Sequence, residues 1–240
     1  MAKLYKGDEL QTLLTIKRDW GSPAALSSWK VRNSVSSTHC NWEGVTCTST
    51  GQVTALSFPS FHIAKSIPAS VCSLKNLTLI DLSNNNLTGD FPMVLYTCSA
   101  LRYLDLSNNQ FSSGLPHNIS KLSSEMLHLN LSSNAFIGDV PLAIAAFPKL
   151  KSLLLDTNSF NGSYPSTAIG GLMELELLTL ASNTFVPGLV PNEFGKLKNL
   201  KILWLLGMNL TGAIPGALSP LTELTLLDMS ENKMKGRILE

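Results

Sequence analysis

The feature that most limits what this chain can become is a spacing, Leu-x-x-Leu-x-Leu-x-x-Asn-x-Leu, that returns every 24 or 25 residues. Units begin at Val53, Leu77, Leu101, Met126, Leu150, Leu175, Leu200 and Leu224, eight in register. Six carry the asparagine: Asn85, Asn109, Asn134, Asn158, Asn183 and Asn232. Phe61 and Met208 stand in its place in the other two. A unit this short cannot bury an apolar face alone. Stacking against neighbours can, so the period predicts a solenoid. Alternate residues of Leu-x-Leu point to one side of a short strand, and parallel stacking merges them into a continuous core. The asparagine is expected to turn inward, where its amide satisfies backbone groups as the chain bends away. At Phe61 and Met208 an apolar side chain fills the gap instead, a task that suits flexible methionine.

Composition agrees and removes alternatives. Leucine supplies 43 of 240 positions and asparagine 18. An apolar share of 44% is enough for a large core and excludes disorder. Charged residues make up 15%, against about 25% in an ordinary domain, and the formal net charge is +1. Such a chain has no basic face for phosphates, which excludes nucleic acid as a partner. No apolar run nears the roughly 20 residues that span a bilayer. The longest, about 140–147, is interrupted by Pro141. No basic-then-apolar leader opens the chain, so any secretory signal is expected to have been removed.

The second half of the unit has its own signature: Ile67-Pro68, Phe91-Pro92, Leu115-Pro116, Val140-Pro141, Tyr164-Pro165, Val190-Pro191 and Ile214-Pro215. Several follow a glycine, at Gly89, Gly138, Gly162 and Gly212. With these residues the unit resembles the plant-specific class of leucine-rich repeats. The resemblance covers about residues 8–238. It implies an α/β leucine-rich repeat solenoid of about eight repeats over 53–238, the last one truncated, with a second short strand at each Ile-Pro segment.

Residues 1–52 do not repeat and are expected to form a helical N-terminal cap over the open first unit. Asp8 reads as a helix N-cap, Leu10, Leu13, Leu14 and Trp20 fall near one helical face, and Gly21 with Pro23 ends the helix. A second short helix is expected over 24–29, and residues 1–6 read as leader or cloning remnant. Leu13-Leu14-x-Ile16-Lys17-x-x-Trp20 together with Cys40-x-Trp42-x-Gly44-Val45-x-Cys47 closely resembles the cap of plant receptor kinases. That resemblance implies a local Cys40–Cys47 disulfide. Four cysteines allow three pairings. Cys72 and Cys98 lie 26 residues apart in the non-strand halves of adjacent units, so one repeat period brings them side by side. Zinc would need clustered ligands, whereas His39 adjoins Cys40 alone and His62, His117 and His128 are scattered. Oxidised cysteines imply a secretory or extracellular compartment. Six Asn-x-Ser/Thr glycosylation acceptors are consistent with it: Asn76, Asn86, Asn118, Asn130, Asn161 and Asn209.

No phosphate loop, dinucleotide loop, His-Glu-x-x-His or Gly-x-Ser-x-Gly run occurs, so the chain is read as no enzyme, with no cofactor and no metal. Function falls instead on the strand residues between the leucines, which should line a concave face. One column there reads Ser57, Asp81, Asp105, Asn130, Leu154, Thr179, Trp204, Asp228. A second reads Ala55, Leu79, Tyr103, His128, Ser152, Leu177, Ile202, Leu226, and a third contains Asp156 and Leu206. Asp81 and Asp105 are taken as a solvated column, not an acid/base pair, because nothing else converges there. The early half is polar and the late half apolar. Candidate ligand-binding residues are Asp81, Tyr103, Asp105, His128, Leu154, Asp156, Thr179, Ile202, Trp204 and Leu206. Seven strand gaps of about 4.8 Å make a face roughly 34 Å long, which about ten residues of extended peptide would cover.

Among plant leucine-rich proteins, residues 70–110 are most similar to the HAESA-like receptor kinases. The similarity implies the ligand-binding part of a receptor Ser/Thr kinase on the extracellular side of the plasma membrane (the apoplast). It also implies a secreted peptide ligand, a co-receptor leucine-rich repeat kinase, and a membrane link only through a transmembrane segment beyond this chain. The alternative is a secreted inhibitor or wall-associated binding protein similar to the polygalacturonase-inhibiting proteins. The last unit breaks off at Arg237-Ile238, so the chain is expected to be the N-terminal piece of a longer protein, its final leucines poorly ordered or covered by a neighbour.

Overall fold

The structure, a computed structural model, describes residues 5–31 and 39–236. Helix α1 (Tyr5–Asp19) opens the fold and strand β1 (Val45–Cys47) follows. Then come β2 (Val53–Ser57), β3 (Leu79–Asp81), β4 (Tyr103–Asp105), β5 (His128–Asn130), β6 (Ser152–Leu154), β7 (Leu177–Thr179), β8 (Ile202–Trp204) and β9 (Leu226–Asp228). All nine form one sheet in chain order. β1 runs antiparallel to β2, and every later pair is parallel. The register sets Leu56, Ile80, Leu104, Leu129, Leu153, Leu178 and Leu203 in one row, each at most 1% exposed. The row ends at Leu227, 42% exposed, with no further described unit stacked on it.

Each asparagine works on two units. Asn109 Nδ2 donates to the carbonyls of Leu106 and Ser107 in its own turn and to Leu82 in the unit before, and its Oδ1 accepts from the Leu87 N–H. Asn85, Asn134, Asn158, Asn183 and Asn232 repeat this pattern. The residue before the asparagine is left-handed, as at Thr157 (φ 55°) and Ser182 (φ 53°). That conformation costs about 1–3 kcal/mol and persists where surrounding bonds enforce it. At the close of the motif Phe111, Phe136, Phe160 and Phe185 stack with centroids 6.1, 6.3 and 5.9 Å apart. Met208 is fully buried, and Phe61 packs edge-on against Phe58 at 5.4 Å.

The return path differs from a helix-rich one. Most units turn through a single 3-10 turn, as at Ala69–Ser73, Met93–Thr97, Leu142–Ala146 and Asn192–Lys196; Ser166–Ile169 forms one α turn. These turns start on the proline: the Pro92 carbonyl accepts from Leu95, that of Pro141 from Ile144 and that of Pro191 from Phe194. Proline needs no N–H there and pre-sets φ. The second strand expected at the Ile-Pro segment lies just ahead of it. Thr88–Gly89, Gln110–Gly114 and Ala135–Ile137 make one small sheet, and Gly188–Leu189, Leu210–Gly212 and Lys233–Met234 another. Proline has no donor for a ladder, so pairing stops short of it. Pro187, beside Gly188, sits at the interruption between the two sheets.

The cap departs from expectation at its start. Asp8 lies inside α1 and is not its N-cap. Tyr5 and Lys6 belong to the helix, while residues 1–4 lie outside the described residues. Only one 3-10 turn, Ala24–Leu26, forms where a second helix was expected, because Trp29 must fold into the core. Trp29 stacks on Trp42 at 5.2 Å and donates to the Glu43 carbonyl at 3.0 Å. Glu9 accepts from the Val53 N–H at 2.9 Å and so ties α1 to β2. Gly44 (φ +76°) is required: a Cβ there would sit 2.3 Å from the Phe58 ring and 2.5 Å from the Ser57 carbonyl. β1 itself covers the first edge of the sheet. Both expected disulfides are formed, Cys40–Cys47 and Cys72–Cys98, with Cα atoms 5.6 and 4.7 Å apart. His39, Cys40 and Cys47 lie close together, but both sulfurs are bonded and offer no thiolate. Among the described residues no helix is long and apolar enough to cross a membrane.

Two stability outcomes follow. Asn158→Ala strips a bridge between two central units and is expected to cost about 2–4 kcal/mol, since each buried backbone group left unpaired costs about 1–3. Gly44→Ala is expected to cost at least as much through strain and overlap, about 2 kcal/mol or more. Urea midpoints of the two variants and the parent check both.

Candidate functional site

The concave face consists of the strand side chains that alternate with the buried leucines. The register joins Asp81, Asp105, Asn130, Leu154, Thr179, Trp204 and Asp228 in one column and Leu79, Tyr103, His128, Ser152, Leu177, Ile202 and Leu226 in the next. The candidate residues therefore share one face, but they do not share one role.

In the early half the polar groups are spent on each other. Asp81 Oδ1 accepts from the Ser83 N–H and hydroxyl at 3.0 and 2.7 Å, and Asp105 Oδ1 from those of Ser107 at 2.8 and 2.6 Å. Asn130 does the same with Ser132 and donates its amide to Asp105 Oδ2 at 2.9 Å. Ser57 donates to the other oxygen of Asp81. These are Asx turns that end each strand. Asp105 and Asn130 are each 9% exposed, so the solvated column expected here is in that part a buried hydrogen-bonded ladder. The serine two residues on folds back and closes it. Tyr103 and His128 stack over this ladder, 4.1 Å apart and 7° from parallel. Burial pushes the His128 pKa down, against the weaker upward pull of Asp105 and Asp81, and pushes that of Tyr103 up.

The late half is different. From β6 to β9, Leu154, Leu177, Ile202, Trp204 and Leu226 wall a pocket of about 490 Å³ together with Ser132, Asp156, Thr179 and Asp228. Leu154, Ile202 and Trp204 are half-buried, as a face turned away from the core should be. Thr179 is 3% exposed and bonds Asp156 Oδ1, itself 7% exposed, so both support the wall more than they present it. Leu206 is half-buried and does not line the pocket. Asp228 is held below the usual carboxylate range by the N–H and hydroxyl of Ser230, with help from the Trp204 side chain. Outside the columns, Lys151 and Lys201 both bind Glu176 at 2.7 Å and hold its carboxyl down at about 2. The candidate residues omitted Ser132, Leu177, Leu226 and Asp228, although their column positions pointed to this face. The Lys151–Glu176–Lys201 ladder was also legible, as alternating charge at one repeat position.

The glycosylation acceptors divide by burial. Asn76, Asn86 and Asn161 are exposed. Asn118 is half-buried and accepts from the Tyr96 hydroxyl, and Asn209 donates to the Phe185 carbonyl. Asn130 is enclosed with its nitrogen already donating to Asp105.

The leucine rich repeat N-terminal domain family matches residues 6–48 and the leucine rich repeat family residues 63–111. Receptor-like protein 52 of Arabidopsis thaliana is 44% identical over 232 residues, 96% of this chain and 28% of that protein. Leucine-rich repeat receptor protein kinase EMS1 of the same plant is 44% identical over 77 residues, 32% of this chain and 6% of that protein. Among solved structures, the Arabidopsis receptor kinase HAESA in complex with the peptide hormone IDA and the co-receptor SERK1 aligns at a TM-score of 0.88 and 33% identity. That alignment covers 95% of this chain and 38% of HAESA's. The chain thus spans less than two fifths of the length of each of these relatives.

Secretion from a glycosylating host, followed by glycopeptide mass spectrometry, is expected to find glycans at Asn76, Asn86 and Asn161 and none at Asn130.

Proposed function

We propose, from a leucine-rich repeat solenoid under an N-terminal cap similar to that of plant receptor ectodomains, that this chain is the binding, non-catalytic N-terminal part of an extracellular receptor that takes a secreted peptide on its concave face. The observation that carries this reading is the pocket between β6 and β9. Trp204 there contributes to no buried leucine row, and large aromatic side chains facing a concavity are enriched at binding hot spots. The HAESA structure, which holds a peptide hormone and a co-receptor, supports a similar ligand class and a co-receptor for this chain. A location at the plasma membrane, facing the apoplast, belongs to the same reading, as do the two disulfides. For the full-length protein we favour the receptor-like protein over the HAESA-like kinase. Identity is 44% across 96% of the chain in the first case and 33% across 95% in the second.

The test is Trp204→Ala. Peptides selected from a decapeptide display library on the parent chain are expected to bind the variant more weakly by about 2 kcal/mol, roughly 30-fold, with melting unchanged. Equal affinities for every selected peptide would leave the patch as structural cover.

A further inference from the structure

The pocket is not purely apolar. Asp156 and Asp228 stand in its wall beside Leu154, Leu177, Ile202 and Trp204, and no Lys, Arg or His does. The fold anchors both carboxylates. Ser230 gives its N–H and hydroxyl to one oxygen of Asp228 at 2.9 and 2.7 Å, and the Thr179 hydroxyl bonds Asp156. Lys151 and Lys201, which stand just ahead of β6 and β8, are both paired with Glu176 and do not enter the wall. Asp228 is therefore a fixed anion at the accessible edge of a mostly apolar wall with no cation in it, and the buried Asp156 adds to a negative field that disfavours an anionic guest.

Resting on the peptide-binding reading, we propose that the pocket selects a peptide segment with a large aliphatic or aromatic side chain, which fills it, and a lysine or arginine nearby, which meets Asp228. Asp156 and Asp228 are three strand gaps apart, about 14 Å, or about four residues of extended peptide. The basic residue therefore falls within about four positions of the apolar one. Acidic segments, including those carrying phosphate or sulfate, are rejected.

The experiment pans a random decapeptide display library on the full chain and on Asp228→Asn. The asparagine keeps the oxygen that Ser230 needs, as Asn130 does for Ser132 at the same repeat position. Peptides recovered on the parent are expected to pair a large apolar residue with Lys or Arg within four positions. On Asp228→Asn the apolar preference stays, the basic one disappears, and a basic peptide recovered on the parent binds about tenfold more weakly, the loss of one charge-assisted bond. Recovered peptides that are weakened by Trp204→Ala but have no basic bias, are acidic, or are indifferent to Asp228→Asn would overturn this inference and leave peptide binding standing. Recovery of no peptide that Trp204→Ala weakens would overturn both.

Discussion

A buried asparagine amide that bonds two units at once is the interaction on which the rest of this solenoid depends. At the end of most strands the chain turns inward, and backbone N–H and C=O groups that face the leucine core need a polar partner there. Asparagine brings two N–H donors and an acceptor oxygen to that corner, and with one hydrogen shared between two carbonyls they reach three carbonyls and one N–H in the arrangement of Asn109. The left-handed residue in front of it, the parallel strand beside it and the stacked phenylalanines below it all presuppose that the corner is satisfied. Where Met208 replaces the amide, its neighbours take up part of the work. Asn232 Oδ1 accepts from both Met208 and Leu210, and Asn209 reaches the Phe185 carbonyl.

The concave face uses one repeat position for two purposes. In Asp81-Leu82-Ser83, Asp105-Leu106-Ser107 and Asn130-Leu131-Ser132 the first residue binds the third, and the position helps terminate the strand. In Leu154-Leu155-Asp156 and Trp204-Leu205-Leu206 that pairing is gone, and the side chain is left for the concavity. A polar column that satisfies itself gives way to an apolar one that does not, and the pocket opens where the change occurs. Asp228-Met229-Ser230 restores the turn at the far wall and sets a fixed carboxylate at its edge.

The cap shows a different economy. It closes the sheet with one antiparallel strand and fills the space below with Trp20, Trp29, Trp42 and Phe58, so the first leucine row meets aromatic rings and not water. Large rings suit an end that lacks a repeating partner, because each buries a large area with few rotatable bonds. Gly44 is the accommodation that this crowding demands.

Much of the architecture was legible in the sequence because contacts in a solenoid run between residues one period apart, so distance along the chain reports adjacency in space. The strands, the leucine rows, the inward asparagines and the Cys72–Cys98 bridge all follow from that arithmetic. The single turns in place of helices and the offset of the second strand were less legible, since both depend on how proline spends its missing N–H. Which concave residues are free was decided only by the tertiary structure. Asp105 and Trp204 occupy the same column and read alike as exposed strand residues. One is locked by Ser107 and Asn130, and the other helps to wall a cavity, because burial depends on what the neighbouring turns bond to and not on the repeat position itself.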